Sequence, residues 1–240
     1  MRRYLYGLFL LAYAGAASAL THAEVMAGAE RQYRGYLREL QAQHQLDSDP
    51  AFHERVQRIA KPLIAQAMHD YPESAGWQWE VHTTPEGDDN AYAMAGGKLL
   101  VSRAYVDKLL LNDAELAMLL AHEIAHAVLR HNLLEYEEAM RLEPAWRERP
   151  FAELEDAVDN DTALMRKLAP LGLKQEAEAD REGLKLAWRV GWPGAALARY
   201  YQKLVRASHA PNFEQHVHPA PSQRWKAARE LAAALEAAGR

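Results

Sequence analysis

The chain contains no cysteine. That excludes a disulfide scaffold, a zinc ribbon and a thiol nucleophile, so any metal must be held by histidine and carboxylate. An excess of positive charge is also missing. The 28 Lys and Arg stand against 33 Asp and Glu, a formal charge of −5, which argues against a nucleic-acid partner. After residue 20 no apolar run approaches the ~20 residues a membrane-spanning helix needs. Internal repeats and low-complexity linkers are lacking too. What remains is ordinary globular composition, 49% hydrophobic and 25% charged, over 240 residues. That is enough for one domain with a sizeable core.

The first residues form a pattern of their own. Met1-Arg2-Arg3, an alanine-rich apolar run from Tyr4 to Ala17, and Ala17-Ser18-Ala19 follow the three-part layout of a secretory signal peptide. We expect residues 1–19 to be that signal, with an uncleaved inner-membrane anchor as the alternative. Residues 20–240 then form a single domain working in a bacterial periplasm, with at most peripheral membrane association.

Hydrophobic periodicity predicts helices over 23–45 and 50–71, the second kinked at Pro62. Trp77 to His82 alternates and reads as a strand with both tryptophans on one face. Residues 91–95 and 98–102, separated by Gly96-Gly97, read as a hairpin. Helices follow over 103–111, 113–131, 151–168, 173–190, 194–207 and 221–238, with prolines, Pro170 among them, marking breaks. The fold class is α+β, mainly α, with a small sheet.

His122-Glu123-Ile124-Ala125-His126 is an HExxH motif within an apolar helix capped by Asn112 and Asp113. Residues i and i+4 share a helix face, so both imidazoles can reach one metal ion. Its apolar neighbours, Leu119 to Ala121 and Ile124-Ala125, mark a buried helix. Unpaired histidines there would be costly, and a metal removes the cost. Glu123 can take a proton from an activated water and pass it to a leaving amine. On a second helix Glu176 and Asp180 are four apart, and Glu178 points away. Glu176 can therefore ligate the metal while Asp180 orients a histidine. The bland alternative is an acidic first turn that favours the helix dipole.

Together these segments resemble zinc metallopeptidase family forty-eight, which includes HtpX-like, CAAX prenyl endopeptidase-like and Oma-like proteases and periplasmic proteases of outer-membrane assembly. HEIAH followed by EAEADR carries the resemblance. So do Asn90 to Ser102, the Glu115-Leu116-Ala117 approach, Arg130-His131, and His218-Pro219 with Arg224 five residues after the proline. The likeness spans about residues 50–230. It implies a gluzincin-type domain binding one zinc per chain through His122, His126 and Glu176, with Glu123 as general base and acid and Asp180 behind the ligands. His218 is implied to hydrogen-bond the oxyanion or to cap the zinc, with His216 a competitor. Arg224 is implied to lie in a segment over the site, and the plain alternative is a structural salt bridge to Asp180 or another carboxylate. Asn90, Ala91, Tyr92 and Ala93 would bind an extended substrate at an edge strand, or simply edge the sheet. Residues 135–161 are read as a solvated charged excursion, with a lid over the cleft as the alternative.

The function this implies is endopeptidase action on misfolded or stalled proteins of the bacterial envelope. Polypeptide substrates and outer-membrane or envelope assembly proteins are the expected partners. A latent or non-catalytic chaperone using the same cleft and edge strand is the alternative, and a metal-assisted hydrolase of non-peptide substrates is a further one.

Overall fold

A computed structural model describes residues 20–85, 91–214 and 218–239. The expected signal peptide, Asn90 and His216 lie outside these residues. Helix α1 (His22–Ala42) starts at a capping box between Thr21 and Glu24. Helix α2 (Pro50–Asp70) starts at Asp49, with proline at its first position and Pro62 inside it. A 3-10 turn follows at Pro72–Gly76.

Among the described residues the sheet has three strands, β1 (Glu80–Thr84), β2 (Ala91–Met94) and β3 (Lys98–Ser102), in the order β1-β3-β2. β1 runs parallel to β3 with Val81 opposite Leu99, and β2 runs antiparallel with Ala93 opposite Leu99. β2 is therefore an edge. Gly96 and Gly97, both at φ 80°, make the turn between β2 and β3. A Cβ on Gly97 would lie 2.6 Å from the Trp79 ring, so only glycine fits there.

Strand β1 begins later than the alternation predicts. Trp77 and Trp79 precede it, with rings 5.4 Å apart, and the Trp79 indole donates to the Ser74 carbonyl at 3.0 Å. Both side chains pack on the main core from outside the strand.

After α3 (Arg103–Lys108) comes α4 (Asp113–Val128), opened by a capping box between Asn112 and Glu115. Leu116 to Ala121 are fully buried, so α4 is the central helix of the molecule. A left-handed Arg130 (φ 58°) turns the chain into α5 (His131–Leu142). Helices α6 (Phe151–Asn160), α7 (Thr162–Arg189), α8 (Gly194–Ala207) and α9 (Pro221–Ala238) complete the fold.

Two expectations are corrected here. The break falls at Asp161, whose carboxylate caps α7 by accepting from the Ala163 and Leu164 amides. Pro170 sits inside the 28-residue α7. The hydrogen bond lost there is outweighed by burial of Leu164 and Leu168 before it and Ala179 and Leu184 after it. Residues 135–161 are also not a solvated excursion. Tyr136, Ala139, Trp146, Leu154 and Val158 close a second apolar cluster with Val25 and Ala29 of α1. Most of its charged residues, Glu137, Arg141, Glu153 and Asp156 among them, face outward from α5 and α6, whereas Glu155 is buried and meets Arg31 of α1 at 3.4 Å.

Candidate metal centre and cleft

The site forms where α7 crosses α4. Gly183 permits the crossing, because a Cβ there would lie 2.8 Å from the His122 backbone nitrogen. One turn apart on α4, His122 and His126 bring their Nε2 atoms to 3.2 Å. Glu176, mid-way along α7, places Oε1 3.2 Å from His126 Nε2 and Oε2 3.4 Å from His122 Nε2. The separations match the roughly 3.3 Å edge expected when ligands sit about 2.0–2.1 Å from a tetrahedral centre. Glu176 lies fourteen residues into α7, so it does not serve the helix dipole.

The surroundings support a cation. Glu176 Oε2 is buried without a hydrogen-bond donor among the described residues. Burial works against a charged His122, but Glu176 and Asp180 outweigh it and lift the imidazole to about 10. Two carboxylates thus draw positive charge to this point, and these three residues could hold a metal ion.

Asp180 stands behind His122, its Oδ1 3.0 Å from Nδ1, an ion-pair contact rather than an in-line hydrogen bond. Tyr201 donates to the same oxygen at 2.8 Å. Arg224 donates to both oxygens, at 2.6 and 2.7 Å. Burial pushes Asp180 up, yet Arg224 and His122 hold it at about 2. Arg224 is buried and also reaches within 3.3 Å of Glu176 Oε2. It forms the salt bridge to Asp180 that was one of its two readings. Behind His126, His131 Nδ1 lies 3.0 Å from His126 Nδ1. Burial, then the charge of His126, keep His131 neutral, at about 3. It can thus accept a hydrogen bond from His126 Nδ1–H and leave His126 Nε2 facing Glu176.

Glu123 is partly buried beside the pair. Burial raises its carboxyl to about 7, helped by Glu176 and opposed by His122, the Ala93 amide and Arg224. A base tuned near neutral suits proton transfer at physiological pH. A cavity of about 470 Å³ opens over these groups. Ala91, Tyr92 and Ala93 of β2 line it, as do His218 and Pro219. His218 Nε2 lies 3.4 Å from Glu176 Oε2.

Sequence reasoning missed Tyr105, Asn132, Tyr200 and Leu204, which also line the cavity, and Tyr201 behind it. No local pattern marks them. Tyr105 and Tyr200 are 95 positions apart, and the Tyr200-Tyr201 doublet reads as helix core.

Fold and site together define a metallopeptidase domain of the gluzincin type. Residues 50–232 match Peptidase family M48, and the chain belongs to that family. The Beta-barrel assembly-enhancing protease of Yersinia pestis is 28% identical over 214 residues, covering 82% of this chain and 42% of that protein. The protein of the same name from Escherichia coli (strain K12) is 27% identical with the same coverage. Mitochondrial metalloendopeptidase OMA1 of Arabidopsis thaliana is 30% identical over 161 residues, covering 63% of this chain and 31% of its own. The chain thus spans less than half the length of these relatives. No helix among the described residues is long and apolar enough to cross a membrane.

Proposed function

We propose that this protein is a zinc-dependent endopeptidase that cleaves misfolded or stalled proteins of the bacterial envelope. The observation that carries the reading is a single one: the partly buried Glu123 lines the same cleft as the His122, His126 and Glu176 cluster, beside residues of β2. In this reading His122, His126 and Glu176 hold the ion, one per chain. A bound zinc would polarise the scissile carbonyl and make the attacking water more acidic.

The chain's own residues do the rest. Asp180 holds His122 in the ligating orientation, and His131 does the same for His126. An extended substrate adds its backbone to the edge of β2 at Ala91 to Ala93, and Asn90 is assigned to substrate binding from the sequence alone. Glu123 takes a proton from water as the new C–O bond forms. It then gives that proton to the amide nitrogen as the C–N bond breaks.

The leader-like residues 1–19 support export to the periplasm, with residues 20–240 as one catalytic domain. The name of the bacterial relatives supports assembly-related envelope proteins as partners. The position of His218 favours a second reading, a latent or chaperone-like protein whose cleft is capped.

Metal content and casein cleavage of wild type and Glu123→Gln test the proposal. It requires about one zinc per chain in both, with cleavage reduced at least about 100-fold in the variant. Zinc without cleavage in either protein favours the capped reading, and His218→Ala then tests it by restoring cleavage. Absence of zinc from both would refute the metal assignment.

A further inference from the structure

The part of the cavity lined from three further helices, termed the recess, belongs to the same cleft as Glu123. Tyr105 enters it from α3, Tyr200 and Leu204 from successive turns of α8, and Pro221 from the start of α9. The two phenolic oxygens are 3.3 Å apart, so one hydroxyl donates to the other. The pair carries two O–H protons, and this contact uses one. Neither hydroxyl makes another hydrogen bond among the described residues. Burial keeps both phenols protonated, raising Tyr105 above its ordinary value and Tyr200 well above it.

The recess therefore offers apolar walls and one unused donor at its base. An unpaired donor in a buried place favours a ligand that brings an acceptor. An acidic tip is excluded by Glu123 and Glu176, which face the same cavity. Arg224 faces it too, but its charge is committed to Asp180. A cationic tip would bring only donors and lose its hydration.

We propose that the Tyr105–Tyr200 recess is the side-chain subsite for the residue after the scissile bond, and that it selects an uncharged side chain with an apolar body and an acceptor at its tip, tyrosine or glutamine. The assignment rests on the endopeptidase reading. Glu123 delivers its proton to the leaving amine, so the residue bearing that amine lies on the Glu123 side of the cleft, where the recess opens.

Matched peptides test this, carrying Tyr or Phe, and Gln or Met, after the cleaved bond. The zinc-loaded full chain favours the acceptor-tipped member of each pair about tenfold in kcat/KM. The double variant Tyr105→Phe/Tyr200→Phe removes both O–H protons and brings that ratio toward one, because the acceptor-tipped member of each pair slows more than its apolar partner. A pair serving structure alone would slow both members equally, and an unchanged ratio in the double variant would overturn the subsite. If wild type cleaves no peptide, the endopeptidase reading fails separately. The recess is then read by binding of the same peptides to zinc-loaded Glu123→Gln: a tenfold preference for the acceptor-tipped members upholds it, and equal affinities overturn it.

Discussion

Arg224 grips Asp180 with two hydrogen bonds, and Asp180 in turn meets His122 Nδ1 at 3.0 Å. One buried carboxylate thus ties α9 to α7 and faces a histidine of α4. Asp180→Asn would leave the buried Arg224 charge with Glu176, 3.3 Å away, as its remaining carboxylate, so the cost should fall below the roughly 3–5 kcal/mol of a fully unpaired buried charge. It would also loosen the His122 orientation, lowering zinc affinity about 10–100-fold. Urea unfolding reads the first effect and chelator competition the second. Wild-type zinc affinity in a folded variant would detach Asp180 from the metal centre.

Gly183 sets how closely α7 approaches α4. Its missing Cβ would meet backbone atoms of Ala121 and His122 at 2.8–2.9 Å, and backbone cannot swing aside as a side-chain tip can. Gly183→Ala should therefore destabilise the fold by about 1–3 kcal/mol, despite alanine's better helix propensity. By displacing Glu176 from the histidines it should weaken zinc binding as well. Gly35 of α1, where an added Cβ would meet nothing within 4 Å, provides the control. Gly35→Ala should be neutral or stabilising.

The part of the site that was legible from sequence is the part with helical spacing. His122 and His126 lie one turn apart, as do Glu176 and Asp180, and the structure brings the two pairs together. The hairpin at Gly96-Gly97 was equally readable, because its turn needs positive φ. Pro170 misled because local propensity was outweighed by apolar residues on both sides that share one buried helix. The second core was hidden because Tyr136, Ala139 and Trp146 are scattered among charges, and their common face exists only once α1 packs on it. Tyr105 and Tyr200 meet only through tertiary packing, which no local pattern encodes.

Glu80 links the sheet to α1 and gives an acid-sensitive element far from the metal centre. Burial pushes its carboxyl up, but hydrogen bonds from Arg34 and Lys98 outweigh that and hold it at about 2 instead of 4.5. Lys98 is buried and bonds Glu80 at 2.8 Å, the Gln78 carbonyl at 2.6 Å and Glu30 at 3.0 Å. Because the folded value is the lower one, the stabilisation is complete above about pH 5 and disappears as pH falls toward 2. It amounts to at most about 3 kcal/mol, reduced by solvent screening on the exposed side. Wild type should therefore exceed Glu80→Gln in urea midpoint at pH 7, with the gap narrowing at pH 3. A gap independent of pH would disprove the assignment.

Removing the metal should soften the centre of the molecule. Without a cation, Glu176 Oε2 is buried without a donor, and two imidazole nitrogens face each other at 3.2 Å on the central helix. An ion that binds only the folded chain adds about 2.7 kcal/mol at a hundredfold excess over its Kd. For a domain of this size that raises Tm by about 5–10 °C. Thermal unfolding with zinc and with chelator should show this shift in wild type and in Glu123→Gln, whose ligands are intact. His126→Ala should lose most of it, because one of the three donors is gone. A shift that survives in His126→Ala would mean that zinc stabilises the protein elsewhere.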